Sequence, residues 1–205
     1  RGRAWFQANW GYEESKHSMA LEEWLIQSGK RTEAQAREYA DTLLQKEWEL
    51  PFETPRQMII YTTLQELSTQ LNYRKLNTLA KDEGDEALVT ALNYISRDEA
   101  AHFKFFKDGV KVFLEDNRDQ TLADIQYVLT NFKMPAIDLI AEWPTYLNNI
   151  VELGLFSARI FLTEVVTPAL KQLEVTRADL KSVVDNSGIS TLVEKPKSLQ
   201  FMRTV

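Results

Sequence analysis

The sequence predicts an all-α protein in which long helices pack as an antiparallel bundle with essentially no sheet. Gly and Pro number only 7 and 6 among 205 residues, so few residues are present that interrupt helices. No segment shows the polar–apolar alternation of a half-buried strand. The absence of Cys excludes disulfides, iron–sulfur clusters and thiolate zinc sites, and a net charge of −6 argues against a general nucleic-acid binder.

Four helices are predicted in the first 114 residues. The first covers residues 1–28, and a capping box at 32–35 opens the second. After a proline-containing break, a Thr-Pro pair opens a third, long helix over 55–81. An acidic turn at 82–85 separates it from a fourth long helix over 86–114. These four helices contain all the residues singled out below for chemistry.

The rest of the chain is predicted to form shorter helices. Thr121 is expected to cap a fifth helix, and prolines interrupt the region after it. A further helix is predicted over 147–173, with bends near Gly154 and Pro168. Thr176 opens a short last helix.

The chain is predicted to form one domain, a helical bundle over residues 1–184, followed by an irregular surface tail over 185–205. No run of 18 apolar residues predicts a membrane span. The chain starts with Arg1 rather than Met, and the helical pattern is already established there. We therefore expect a bundle that is incomplete at its N-terminal end.

Both histidines of the chain follow a glutamate by three positions, Glu14 before His17 and Glu99 before His102. Glu accounts for 19 of 205 residues, so shuffled sequences would show this coincidence in under about 1% of cases. Residues three apart share a helix face. Two Glu-x-x-His helices and two helices with a single Glu are how ferritin-like bundles hold two iron or manganese ions, which carboxylates can bridge and imidazoles can ligate.

The paired motifs lie on the apolar faces of their predicted helices. The first motif lies on the same side of its helix as Trp10 and Leu21, and the second lies on the same side of its helix as Phe106. Between residues 55 and 81, Glu66 is the only acidic residue, and its stripe is otherwise apolar with a few hydroxyls. Buried acids and imidazoles are costly unless a metal compensates them. The sequence thus predicts a ferritin-like antiparallel bundle with a di-iron site in its core, held by Glu14, His17, Glu66, Glu99 and His102.

These motifs resemble those of the soluble acyl-ACP desaturases. Residues 10–17 look like their Trp-x-x-Glu-Glu-x-x-His helix, 65–69 like their Gln-Glu-x-x-Thr helix and 98–102 like their Asp-Glu-x-x-His helix. A Met-Pro step at 134–135 also matches. The resemblance covers roughly residues 5–140 and is closer to the shorter bacterial members than to the plant plastid enzymes, which implies a cytoplasmic location.

The resemblance implies a role for each ligand. Glu14 and Glu99 would bridge the two irons. His17 would be the terminal ligand of one iron, and Glu66 and His102 would be terminal on the other. Manganese could substitute for iron in such a site.

Three further residues are implied as catalytic. Thr69 would stand near the oxygen-binding side and pass a proton, unless its hydroxyl only bonds back to a backbone carbonyl. Asp98 would orient His102 or a neighbouring Trp or Arg, unless it is a plain exposed acid. Trp10 would belong to an electron route, unless it only fills the core.

The function implied by the resemblance is O2-dependent desaturation of acyl chains in fatty acid biosynthesis. The substrate would be carried on acyl carrier protein, the electrons would come from a ferredoxin-type donor, and the enzyme would be a homodimer. The helices beside the metal-binding ones would form the dimer contact. No nucleic acid and no membrane span are expected.

Three other functions remain open at this point. A ferritin-like protein could oxidise or store iron without an organic substrate. A radical-generating subunit like that of ribonucleotide reductase is favoured by Tyr73, which lies two turns from Glu66 on the same face. A degenerate member could bind carrier protein or lipid without chemistry.

Carrier protein is acidic, so docking would need a basic patch on this acidic chain. The candidates are a stripe on the fourth helix and a group near the C-terminus, and each is otherwise an ordinary solvated face. The first comprises Lys104, Lys107 and Lys111, and the second comprises Lys181, Lys195, Lys197 and Arg203.

One ligand of a complete site is not found in the chain. Glu66 precedes Glu99 by 33 positions. If the bundle is internally pseudo-symmetric, the missing Glu would lie about 20 residues upstream of Arg1. Glu13 does not replace it easily, because it points to a different side of the helix from Glu14. We therefore expect this chain to bind metal weakly or at one position and to turn over poorly.

Overall fold

The computed structural model describes residues 2–187, and this part of the chain is helical without any strand. The predicted all-α fold is confirmed. The elements in chain order are α1 (Gly2–Gln27), α2 (Glu33–Leu44), α3 (Pro55–Asp82), α4 (Glu86–Asp116), α5 (Arg118–Asn131), a 3-10 turn (Ile137–Leu139), α6 (Trp143–Glu152), α7 (Ala158–Ile160), a π-helical segment (Phe161–Val166), α8 (Thr167–Gln172) and α9 (Arg177–Ser187).

The bundle is built around the long α3–α4 hairpin. Thr54 caps α3 by accepting a hydrogen bond from the Gln57 backbone N–H at 3.1 Å. Gly84 turns the chain with φ +71°, a left-handed conformation that glycine adopts without strain. Asp85 then caps α4 by accepting from the Leu88 backbone N–H at 2.9 Å. These local signals make the two helices antiparallel neighbours, and α1 and α5 pack against them.

Two hydrophobic clusters hold the hairpin together. The larger lies where α3 and α4 meet α5 and the π-helical segment, and it includes Leu64, Val110, Ile125 and Val165. The smaller lies nearer the α3–α4 turn and centres on Leu92. Burial of each such side chain is worth about 1.5–3 kcal/mol. Along α4, Glu99 and His102 fall between these two clusters, whereas Glu66 on α3 lies within the run of residues of the larger cluster, between Leu64 and Leu67.

The second half of the chain departs from the prediction in two places. Asn117 caps α5, accepting from the Gln120 backbone N–H at 3.2 Å, whereas Thr121 is buried and donates to the carbonyl oxygens of Phe113 and Asn117. The helix predicted over 147–173 is interrupted after α6, where Gly154 adopts φ +66°. A residue in the left-handed backbone conformation ends a helix rather than bending it.

The predicted bend at Pro168 takes the form of the π-helical segment Phe161–Val166. Proline has no N–H to offer the carbonyl four residues before it, which disturbs the α-helical hydrogen bonding there. Thr176 caps α9 as expected, with its hydroxyl accepting from the Asp179 backbone N–H at 3.2 Å. Helix α9 continues through Ser187 and thus three residues into the predicted tail, and residues 188–205 lie outside the described residues.

Helix α2 contributes no buried residue and lies at the edge of the bundle. Its predicted capping box is present, with Thr32 and Gln35 exchanging hydrogen bonds. Among residues 2–187, no helix is long and apolar enough to cross a membrane.

Candidate metal centre

Helices α1, α3 and α4 bring the candidate ligands together. Helix α1 runs antiparallel to α4, since Phe6 stacks on Phe105 near one end and Trp24 donates to Asp85 near the other, at 2.9 Å. Between these contacts, Glu14 and His17 of α1 face α4. Helix α3 presents Glu66 to the same space.

One ligand atom from each of four residues falls within 4.8 Å of the other three. The residues are Glu14, Glu66, Glu99 and His102, and all but Glu14 are at most 1% exposed. His17 is 4% exposed and lies directly beside this group. The five predicted ligands therefore converge in the structure, on three helices and across 88 positions of sequence from Glu14 to His102.

Glu14 and Glu99 each direct one carboxylate oxygen toward each histidine. From Glu14, Oε1 lies 3.2 Å from His102 Nδ1 and Oε2 lies 3.8 Å from His17 Nδ1. From Glu99, Oε2 lies 3.2 Å from His102 Nδ1 and Oε1 lies 3.5 Å from His17 Nδ1. Two carboxylates that span two imidazoles in this way have the geometry required to bridge two metal ions.

The two halves of the cluster differ in their donors. Glu66 joins the His102 half, with Oε2 3.4 Å from His102 Nδ1. That half thus has four donor residues, and the His17 half has His17 with the two shared carboxylates. The rings of the two histidines are 6.0 Å apart between centroids.

Each histidine meets a second carboxylate on its other nitrogen. Glu13 Oε2 lies 2.8 Å from His102 Nε2, and Asp98 Oδ2 lies 3.2 Å from His17 Nε2. Each of these acids precedes the glutamate of the opposite Glu-x-x-His motif. A carboxylate on the far nitrogen holds the ring so that Nδ1 faces the metal position.

This arrangement corrects the expected contact of Asp98, which meets His17 and not His102. Asp98 lies one residue before Glu99 on α4, so its side chain leaves the helix about 100° away from the ligand face and toward α1. Glu13 was predicted only as a poor substitute for a ligand, and its contact with His102 was missed. An acidic residue before both motifs was the available signal.

Trp10 reaches a neighbouring helix, whereas Thr69 bonds within its own helix. The indole Nε1 of Trp10 donates to Glu66 Oε1 at 3.0 Å, and the ring meets Phe106 edge-on at 5.4 Å. The Thr69 hydroxyl donates to the backbone carbonyl of Gln65 at 2.7 Å, which is the simpler of the two expected roles.

The carboxylates around the histidines strongly favour protonated imidazoles. Burial would lower the pKa of His17, but the nearby carboxylates of Glu14, Glu99 and Asp98 outweigh it and raise that pKa to about 10. Burial has the same opposing effect on His102, and its carboxylate partners raise its pKa to about 12. A metal ion that binds at Nδ1 must therefore displace a proton from each ring.

Burial acts in the opposite direction on the carboxyls. It raises the pKa of Glu66 to about 8, with the negative charges of Glu99 and Glu14 adding to the effect. Burial also opposes ionisation of Glu99, but the adjacent imidazoles of His102 and His17 hold its pKa well below the usual range.

The donor set fits a hard or borderline metal ion. Within residues 2–187, three buried atoms that point into the cluster have no hydrogen-bond partner, namely Glu14 Oε1, His17 Nδ1 and Glu66 Oε2. Unpaired buried polar atoms are costly, and a cation would satisfy all three. Carboxylate and imidazole donors without sulfur suit iron or manganese.

The fold and this cluster define the class of the protein, a ferritin-like helical bundle with a carboxylate–histidine group that can hold metal. The model of the family described as fatty acid desaturase matches residues 2–198. The chain belongs to this fatty acid desaturase family.

Two curated relatives come from Mycobacterium tuberculosis strains CDC 1551 / Oshkosh and H37Rv, and both bear the name acyl-ACP desaturase DesA1. Each is 24% identical to this chain over 182 residues, which is 84% of this chain and 53% of the relative. The chain therefore spans about half the length of the curated relatives that it matches. The crystal structure of DesA2 from M. tuberculosis H37Rv, titled as an acyl-ACP desaturase, shares the fold with a TM-score of 0.72 at 21% identity, covering 89% of this chain and 69% of that chain.

Proposed function

We propose that this cluster binds two iron ions and that the protein desaturates acyl chains carried on acyl carrier protein, using O2 and electrons from a ferredoxin-type donor. The observation that carries the proposal is the pair of carboxylates, Glu14 and Glu99, each with one oxygen toward each histidine. Family membership and the name of the DesA1 relatives support the reaction class.

In this proposal Glu14, Glu99 and His17 would hold one ion, and Glu14, Glu99, Glu66 and His102 would hold the other. Iron supplies the oxidising power that no side chain has, since an unactivated C–H bond must be broken. Asp98 and Glu13 hold the two imidazoles in orientation. Phe6, which meets His102 edge-on at 6.2 Å, helps to exclude water from the His102 side.

The overall reaction balances when the electron donor supplies one pair of electrons. Two adjacent methylenes lose two hydrogens and become a cis double bond. The donor supplies two electrons, and two protons come from solvent. One O2 takes up these four electrons and four hydrogens as two water molecules. Thr69 is proposed to relay a proton, which requires its hydroxyl to leave the Gln65 carbonyl.

Docking of carrier protein is proposed at the basic face of α4. Its charge is partly neutralised, because Lys104 pairs with Asp108 at 2.8 Å and Lys107 lies 3.7 Å from the same carboxylate. Lys107 also donates to Gln172 at 3.2 Å. The second predicted basic group lies mostly beyond residue 187 and so outside the described residues. Manganese as a substitute metal and a cytoplasmic location belong to the same proposal.

Homodimerisation is also proposed, but the exposed apolar face that supports it lies on α1, which itself carries Glu14 and His17, and not on the helices beside the ligand-bearing ones. Trp5, Tyr12 and Met19 recur at seven-residue intervals along α1 and are 71%, 64% and 69% exposed. Large exposed apolar side chains on one helix face commonly mark a contact surface. The proposal predicts a dimeric mass in solution at micromolar concentration, and a monomeric mass would contradict it.

Turnover on a defined substrate tests the proposed function. The iron-loaded protein, reduced ferredoxin, O2 and acyl carrier protein charged with saturated chains of several lengths should yield an acyl product that is lighter by two hydrogens in mass spectrometry. Glu14→Ala should abolish this product, whereas Glu22→Ala, on an exposed part of the same helix, should retain it. Glu14→Ala is expected to lose both Fe2+ binding and product formation. A wild-type protein that binds iron without forming product would exclude the desaturase function.

Iron oxidation without an organic substrate is the second candidate function. It is favoured by the accessibility of Glu14, whose side chain remains 33% exposed and gives solvent ions a path to the cluster. Under this alternative, repeated additions of Fe2+ would be oxidised by O2 in excess of two per chain without any acyl substrate. A stable tyrosyl radical signal would instead favour the radical-generating alternative, with Tyr73 as its candidate residue.

A further inference from the structure

The two oxygens of Glu66 have different environments. Oε1 accepts the indole N–H of Trp10 at 3.0 Å, and Oε2 has no hydrogen-bond partner and lies 3.4 Å from His102 Nδ1. Glu66 itself is 0% exposed, so its carboxylate is shielded from bulk solvent. The indole is the contact that distinguishes the two oxygens.

The indole N–H is well suited to hold a carboxylate in one orientation. It is a donor only and does not titrate in the accessible pH range. Trp10 is half-buried, and Phe106 supports its ring edge-on at 5.4 Å. Rotation of the Glu66 carboxylate would break this hydrogen bond.

We propose that Trp10 is a positioning residue for the metal centre: its indole holds Glu66 so that Oε2 alone faces the metal beside His102. This inference rests on the proposed metal centre and assigns to Trp10 a role other than electron transfer or core filling. Loss of the indole N–H would free Oε1 to approach the same ion. The coordination geometry and the affinity at the His102 position would then both change.

The same helix contains a matched control. Trp24 also donates its indole N–H to a carboxylate of a neighbouring helix, Asp85 Oδ2, at 2.9 Å. Asp85 caps α4 and lies outside the ligand cluster. Both tryptophans are half-buried in the α1 packing. Trp24→Phe therefore removes an indole–carboxylate bond and ring volume without touching Glu66.

Cobalt titration of the full chain tests the inference, because the visible bands of Co2+ report its coordination geometry. Trp10→Phe should weaken Co2+ binding about 10- to 100-fold and change the band pattern. Trp24→Phe should lower the melting temperature and leave the Co2+ affinity and spectrum at wild-type values. Equal affinity and spectrum in wild type and Trp10→Phe would overturn the inference.

A measurement on the unmutated chain makes the test independent of variant folding. In the ¹⁵N-indole NMR spectrum, diamagnetic Zn2+ should move the Trp10 N–H resonance and leave the Trp24 resonance in place. A Trp10 resonance that does not respond to bound Zn2+ overturns the inference. A wild-type chain that binds neither Co2+ nor Zn2+ would overturn the proposed metal centre itself, and the role of Trp10 with it. A chain that binds metal equally well with and without Trp10 would overturn only the role of Trp10.

Discussion

Glu13 Oε2 accepts from His102 Nε2 at 2.8 Å, although the two residues belong to different Glu-x-x-His helices. The reciprocal contact joins Asp98 to His17 at 3.2 Å. The acid that precedes each motif thus supports the histidine of the other. Helices α1 and α4 are tied to each other through the cluster itself, so the orientation of the imidazoles depends on how these helices pack.

Removing one of these supporting charges should weaken metal binding without unfolding the protein. We expect Glu13→Gln and Asp98→Asn each to reduce Mn2+ affinity about 10- to 100-fold, since the imidazole is less firmly oriented. Isothermal titration calorimetry measures the change. Glu23→Gln, an exposed position on α1, is the control, and wild-type affinity in both support variants would show that the cross-contacts are incidental.

The metal-free protein should lose stability as the pH rises above about 6.5. The pKa of His17 is raised from 6.5 to about 10, so its contribution is fully present below pH 6.5 and is lost as the pH rises through about 10. The raised pKa of His102 acts in the same direction. Urea unfolding of chelator-treated protein at pH 6, 8 and 9.5 measures the trend.

The double variant His17→Gln and His102→Gln should flatten that decline, because neither position then binds a proton in the folded state. The raised pKa of Glu66 leaves a smaller decline between about pH 4.5 and 8. A wild-type free energy of unfolding that stays constant or rises from pH 6 to 9.5 would disagree with the carboxylate environment described for the two imidazoles.

The stability of the protein should be sensitive to truncation of core side chains near the metal centre. Leu92 is 0% exposed on α4 and centres the smaller hydrophobic cluster. Leu92→Ala should cost about 2–5 kcal/mol of unfolding free energy, because it leaves a cavity. Val112→Ala, at a position that is 45% exposed on the same helix, should change stability by about 0.5 kcal/mol or less. Denaturant titration compares the two, and similar losses would contradict the assignment of the core.

Metal should load the two positions unequally in this chain. The His102 position has four donor residues, and the His17 position has three. We therefore expect a first, tighter Mn2+ and a second, weaker one in a titration followed by electron paramagnetic resonance. Glu66→Gln should weaken the first more than the second. Two equally tight ions per chain, with all ligands drawn from these 205 residues, would show that the argument for a missing carboxylate is wrong.

The helical fold and the meeting of the five candidate ligands were predictable, because helix periodicity acts within each helix. Glu14 and His17 share a face wherever α1 lies, and the apolar residues beside them indicate that this face is inward. The confirmed antiparallel bundle follows from the same patterns. The roles of individual ligands remain proposals.

The contacts between helices were not predictable in the same way. Periodicity does not give the rotation of α1 relative to α4, so the pairing of Asp98 with His17 and the bond from Trp10 to Glu66 had to come from the structure. The α5 cap was also misplaced, since both Asn117 and Thr121 are residue types that cap helices. Burial of Thr121 under α4 decides between them, and the sequence does not show it.

Anomalous X-ray diffraction from crystals of the full chain with Fe2+ tests the central claim most directly. The account predicts iron within bonding distance of both Glu14 and Glu99, with the stronger peak beside His102 Nδ1 and Glu66 Oε2 and any weaker peak beside His17 Nδ1. Iron bound at other residues, or a cluster that stays free of iron under saturating Fe2+, would contradict it.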